Sequence, residues 1–279
     1  MVDSSHTRRI LLTTNIVLSM LFLLPFIWTL ATSVKIPNNI QVYPPQLVPR
    51  PITTENYEYL WDLNDGIFRR FFVNSVLVSF GTMGLVVVAS TLAGYSFVWH
   101  HFAGKEIVFV LLLAAILIPF QALLVPLFQL MRDLKLLNTY WALIFIYSTF
   151  QLPFSIFMMR NAFGTVPHAL RESAQLDGAG EWRILRHVML PLVLPGIVTV
   201  AIYSFYVSWN EYLVALVFTT REEMKTLTVG LQQLSVGTYG TRWETLTTGS
   251  IVSFIPVMLL FIFLQRYFIR GLTGGALKG

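Results

Sequence analysis

Val166–Pro195 reads VPHALRESAQLDGAGEWRILRHVMLPLVLP, a polar run between two long apolar segments. Its pattern is that of two short helices with a break. Pro167 suits the first turn of a helix, where a missing N–H costs nothing. Ala169, Leu170, Ser173 and Ala174 recur at helical spacing and make one small, weakly apolar face, with Arg171, Glu172 and Gln175 pointing elsewhere. Asp177–Gly178 is a stop signal, because glycine is the residue most at ease in the left-handed conformation that closes a helix. Trp182, Leu185 and Val188 or Met189 form the stripe of a second helix, which Pro191 is expected to end. A face of alanine and serine buries little apolar area. It does permit close approach of another surface to the backbone.

The chain around this stretch is greasy. Of its 279 residues 55% are apolar and 12% charged, and the mean hydropathy is +0.66. A soluble domain carries about a quarter charged residues, so this is the composition of a multi-spanning membrane protein, read as one domain over residues 1–279. With no cysteine, disulfides, thiol catalysis and cysteine-based metal sites are excluded. The net charge of +5 is not gathered into a basic patch with interleaved aromatics, which excludes a nucleic-acid footprint.

Six apolar segments have roughly the 20 residues that a spanning helix needs: about 10–31, 71–99, 107–131, 141–159, 195–218 and 249–268. The first follows Arg8–Arg9 and competes with a signal-peptide reading, but no clear small-residue cleavage site comes after it. Lys35–Arg70 is the longest polar connection, held extended in its first half by prolines. Gly81, Gly84 and Gly94 in the second segment permit close helix approach in lipid. Pro119 and Pro126 predict a kinked or broken third span. Residues 160–191 make the loop between the fourth and fifth spans, Thr219–Thr248 a second polar loop, and 270–279 a glycine-rich tail. Lysine and arginine divide ten to nine between the two sides, so charge bias leaves the orientation open.

Groups for chemistry are few. There is no phosphate-gripping GxxxxGK[ST], no HExxH and no GxSxG, and His100–His101 face different ways on a helix with no third ligand near. No catalytic or metal site is assigned. Glu211 is the one acid placed inside a span, where burial costs several kcal/mol unless the charge is paired. Two readings stand: Glu211 lies with Asn210 on a solute path, or the helix ends nearby and Glu211 reaches the interface beside Trp209 and Tyr212. Asn74, Ser79, Gln121 and Gln151 are weaker path candidates. Uncharged amides and hydroxyls suit a neutral polyol.

Glu172–Ser173–Ala174, three residues, Gly178, nine residues, Val188, one residue, Leu190–Pro191 resembles the E-A-A, G, I, L-P pattern of ABC importer permeases at every gap. Ser173 and Val188 depart from it conservatively. Asp177 and Ala179 are similar to the carbohydrate branch, and Gly274, Gly275 and Lys278 fall in an ending similar to that of maltose-type and glycerol-phosphate-type permeases. The resemblance implies an all-α membrane protein with six transmembrane helices, the type I ABC importer permease fold. It implies a coupling helix between helices 4 and 5, with Glu172, Ser173, Ala174, Asp177, Gly178, Ala179, Leu190 and Pro191 facing an ATPase and the tail reaching between ATPase subunits. It implies no cofactor on this chain, ATP and Mg being held by a dimer of ATP-binding subunits. A second permease, an extracytoplasmic substrate-binding protein and the lipid bilayer are the other partners, in a bacterial inner membrane with both termini cytoplasmic. The alternatives are an ion-coupled secondary transporter, which would show an ionisable pair at mid-membrane, and a non-transport scaffold.

Overall fold

The structure, a computed structural model, describes residues 4–44, 46–237 and 240–276, with side chains over 8–44, 46–236 and 241–265. It is helical. The exception among the described residues is a two-residue antiparallel ladder, β1 (Val236–Gly237) against β2 (Gly240–Thr241). The helices are α1 (Ser4–Ser33), α2 (Glu55–Trp99), α3 (Lys105–Ala114), α4 (Phe120–Asp133), α5 (Tyr140–Gly164) and α6 (His168–Leu176). They continue with α7 (Glu181–Ile184), α8 (Leu190–Leu192), α9 (Leu194–Asn210), α10 (Leu213–Phe218), α11 (Leu227–Ser235) and α12 (Trp243–Ala276).

Among the described residues four helices, in α1, α2, α5 and α12, are long and apolar enough to cross a membrane; two bent pairs bring the number to six if each pair is one span. The first pair is the expected broken third span, α3 with its 3-10 continuation against α4, bent by 100°. Ile118 and Pro119 are extended there, since a proline pushes the residue before it out of helical conformation. The other pair, α7–α8 against α9, is bent by 77°. The fifth span is shorter than the expected 195–218, because Glu211 and Tyr212 interrupt it between α9 and α10. The second polar loop is also partly helical, holding α11 and the start of α12. The glycine-rich tail is helical through Ala276, carrying Gly274 and Gly275, while Lys278 lies outside the described residues.

The chain forms two compact units, Met1–Arg69 with Gly230–Ile255, and Arg70–Val229 with Pro256–Gly279. In the first, Asn56 Nδ2 donates to the carbonyls of Ser33 (2.9 Å) and Lys35 (2.7 Å), fastening the end of α1 to the start of α2. α2 is broken just before the unit boundary, at Leu63–Gly66, where Asn64, Asp65 and Gly66 take positive φ.

The second unit is built around α5, the most buried of the long helices. α2 crosses it so closely that a Cβ at Gly94 would stand 2.8 Å from the Met159 carbonyl carbon and 2.9 Å from the Arg160 nitrogen. α9 crosses it at Gly196, whose Cβ would meet Ala162 at 2.7 Å. Small residues bring backbones together where lipid supplies no hydrophobic drive between helices. Around these crossings pack Val86, Met159, Phe163, Ile184, Leu185, Met189 and Val200.

Candidate functional site

The loop after α5 folds as two helical pieces. Pro167 stands at the N-cap of α6, extended (φ −61°, ψ 135°), rather than inside its first turn. The helix stops where the sequence says it should. Gly178 has φ +77°, its N–H donates to Gln175 O and that of Ala179 to Ala174 O, both at 3.0 Å. These two bonds are the Schellman closure, which satisfies carbonyls that a helix end would leave bare. A Cβ at Gly178 would meet nothing within 4 Å, so glycine is required there by backbone conformation and not by space.

The faces differ from expectation. Arg171 and Ala174 are half-buried, while Ala169, Leu170, Glu172, Ser173 and Leu176 are exposed. Arg171 turns inward because a charged partner waits there. Leu176 is 89% exposed on a helix with no buried residue. In the second piece the inward stripe is Ile184, Leu185, Met189 and Val193, while Trp182 is 68% exposed and Val188 only half-buried. Pro191 does not end it. Leu185–Met189 is a π turn, with Leu190 N–H bonded to Leu185 O. That wider register precedes the proline ring, which would otherwise clash with a carbonyl four residues back. The chain bends at Val193 instead.

Side chains tie this segment to the end of α2. Tyr95 Oη donates to Glu181 Oε2 at 2.6 Å, and Arg171 pairs with the other carboxylate oxygen of Glu181. The Arg171 guanidinium lies 5.7 Å from the Trp99 ring, which meets His168 edge-on at 4.6 Å. The Tyr95 hydrogen bond, with the Arg171 charge behind it and burial opposing, holds the Glu181 carboxyl below its ordinary 4.5. A carboxyl with a depressed folded-state pKa contributes fully above its unfolded value and is lost only as pH falls through the folded one. The tie therefore stays charged across the neutral range. None of these contacts is legible in the sequence. Their trace in it is an aromatic pair at i and i+4 at a span's end, and opposite charges at Arg171 and Glu181 across the break.

The path candidates do not converge. Gln121 and Asn210 are exposed. Asn74 is buried and spent: its Nδ2 donates to Glu223 O (2.8 Å) and Lys225 O (2.9 Å), and its Oδ1 accepts from Tyr140 Oη. Ser79 is buried, and its hydroxyl finds no partner among the described residues. Gln151 and Glu211 belong to a polar ladder between antiparallel α5 and α9. Tyr147 Oη donates to Glu211 Oε2 (2.7 Å), and one turn along Gln151 Nε2 donates to Ser208 Oγ (3.0 Å). Ser155 and Ser204, the next pair in that register, are fully buried.

α9 ends before Glu211, but Trp209 beside it is buried and not in an interfacial belt, and the carboxylate takes up the start of α10. Its two oxygens accept from Val214 N at 2.9 Å and Ala215 N at 3.2 Å. Glu211→Gln keeps the shape but loses the charge that favours a helix N-terminus. Loss of about 1 kcal/mol of capping is expected, seen as faster hydrogen exchange at the Val214 and Ala215 amides and not at Phe205. Unchanged exchange would remove the capping role.

Residues 86–274 match the family described as binding-protein-dependent transport system inner membrane component. The arabinooligosaccharides transport system permease protein AraQ of Halalkalibacterium halodurans is 37% identical over 231 residues, 83% of this chain and 81% of that one. The sulfoquinovosyl glycerol transport system permease protein SmoH of Agrobacterium fabrum is 34% identical over 257 residues, 92% and 89% of the two chains. In fold, the chain superposes with a TM-score of 0.82 and 23% identity on a chain of a bacterial ABC transporter involved in the import of alginate, covering 96% of this chain and all of that one. With a family model matched over more than half of its length and a relative of 37% identity, the chain belongs to the family of binding-protein-dependent transport system inner membrane components.

Proposed function

We propose that this chain is one of two permease subunits of an ATP-driven importer for a sugar or sugar-like solute in a bacterial inner membrane. The observation that carries the reading is α6. It is a short helix with an exposed stripe of Leu176, Ser173, Glu172 and Ala169, stopped by a closed turn and held on its inner face by Arg171 and Ala174. An exposed leucine on a helix tied down from behind suits a groove on another protein. In this reading the α6 end faces the cytoplasm, as do both termini, and a dimer of ATP-binding subunits grips α6 and holds ATP and Mg. A related second permease completes the pore, and an external binding protein delivers the solute. Motion of the ATPases biases the spans between two states. Arabinooligosaccharides and sulfoquinovosyl glycerol, named for two relatives, support the sugar class.

The chain extracted with its ATPase subunits should co-purify with them, and Leu176→Asp should weaken that association by about tenfold, the cost of about 1.4 kcal/mol at a central interface contact. Reconstituted with its binding protein, the complex should take up a sugar or sugar-like solute and not methionine. An ATPase that never associates, or uptake that runs without one, would end the importer reading.

A further inference from the structure

The loop segment is joined to α5 and α9 by the chain itself, but to α2 only by side chains, and α2 has the build of a transmitter. From Arg70 to Trp99 it has no proline, whereas α1, α4, α5 and α12 carry Pro25, Pro126, Pro153 and Pro256 inside them. A proline removes a hydrogen bond and bends its helix. α9 is bent away from the loop segment by 77° and stops at Asn210. α2 is gripped at both ends. At one end are the Tyr95–Glu181–Arg171 tie and the Trp99–His168 contact. At the other, Asn74 holds the carbonyls of Glu223 and Lys225, and Ser75 Oγ accepts from Leu227 N at 2.8 Å. Asn74 and Tyr95 are twenty-one residues apart, about 32 Å at 1.5 Å per residue, which is the thickness of a bilayer's hydrocarbon core.

We propose that α2 between Asn74 and Trp99 is a rod that carries displacement of the α6–α7 segment to the segment 219–227 at the far end of the unit, with Tyr95 and Asn74 as the positioning residues at its two grips. Two features make the rod stiff in this role. Its inner end cannot lag behind the loop, because Gly94 lies against the Met159 backbone just before that loop begins. Its outer end cannot slide past its cargo, because the buried Asn74 carboxamide is bonded through both oxygen and nitrogen. A contiguous element of this kind carries energetic coupling when it has two arrangements that both sites bias.

The inference rests on the proposed function, and its test separates the two. The chain has no cysteine, so a single Glu222→Cys on the exposed part of the far segment is this chain's one labelling site, and the rate is read on this chain after it is separated from its partners. The complex with its ATPase subunits in nanodiscs is trapped with ATP and vanadate, and the rate of maleimide labelling is measured. Trapping should change that rate by about fivefold or more, the low end of an allosteric coupling. Tyr95→Phe, Glu181→Gln and Asn74→Ala should each abolish the change while hydrolysis and co-purification of the ATPase stay at parental levels. A change that survives Tyr95→Phe and Glu181→Gln, or survives Asn74→Ala, overturns the rod. So does a parent that hydrolyses ATP with no change at position 222. Failure of any ATPase to co-purify removes the importer reading, and the rod with it.

Discussion

In the importer proposed above, Gly178→Val should leave the chain inserted and associated with an ATPase yet lower transport per ATP hydrolysed by about tenfold or more. The left-handed backbone at Gly178, φ +77°, costs a residue with a Cβ roughly 1–2 kcal/mol, more for a β-branched one, and about 1.4 kcal/mol is a factor of ten. Relaxing that strain means giving up the Ala179 N–H to Ala174 O bond, which sets the angle at which α7 leaves α6. The grip of Glu181 on Arg171 and Tyr95 depends on that angle. Because the space around Gly178 is open, volume should not matter. Gly178→Asn should be mildest, since asparagine tolerates this conformation, with Gly178→Ala next and Gly178→Val most severe. The ratio of uptake to hydrolysis in proteoliposomes checks the order. An asparagine variant as damaged as the valine one would mean that a contact with the partner, and not the turn, is what glycine preserves.

The turn at Gly178 is legible in the sequence because its cause is local: one residue type in one backbone conformation. The break at Pro119 is legible for the same reason. Sequence and structure part where packing decides. Leu185 and Val188 look like one stripe at helical spacing, but the π turn at Leu185–Met189 shifts the helical phase, and Met189 takes the buried place. Arg171 reads as an outer-face residue because a charge belongs in water by default; the carboxylate that reverses this is ten residues on, across a break. Glu211 carries two readings since sequence shows that an acid is in a span but not that the helix stops one residue earlier. The links between α2 and the loop, Tyr95 to Glu181 and Trp99 to His168, join positions roughly seventy to ninety residues apart, and no local pattern announces them.

The glycines of α2 show the same division between local and packed causes, and give the largest expected effect on stability. By sequence Gly81, Gly84 and Gly94 are alike. In the structure an added Cβ at Gly84 meets nothing within 4 Å, one at Gly81 meets the Cδ1 end of Ile144 at 2.7 Å, and one at Gly94 meets the backbone of Met159 and Arg160 at 2.8 and 2.9 Å. A side-chain tip can rotate away; a backbone in mid-helix cannot. Gly94→Ala should force α2 off α5 and cost about 3 kcal/mol, the upper range for overpacking. Gly81→Ala should cost about 1 kcal/mol once Ile144 shifts, and Gly84→Ala should be neutral or stabilising by up to about 1 kcal/mol, since alanine is the better helix former. The fraction of extracted protein remaining monodisperse after heating should fall in the order Gly84→Ala, Gly81→Ala, Gly94→Ala. Separation at Gly94 also moves Tyr95, the next residue, so Gly94→Ala should lose coupling along with stability, and pairing it with Met159→Ala, which removes the Met159 side chain beyond Cβ but not the backbone, should restore little of either. Full recovery by Met159→Ala would show that the crossing is held by side-chain fit and that the backbones have room to part.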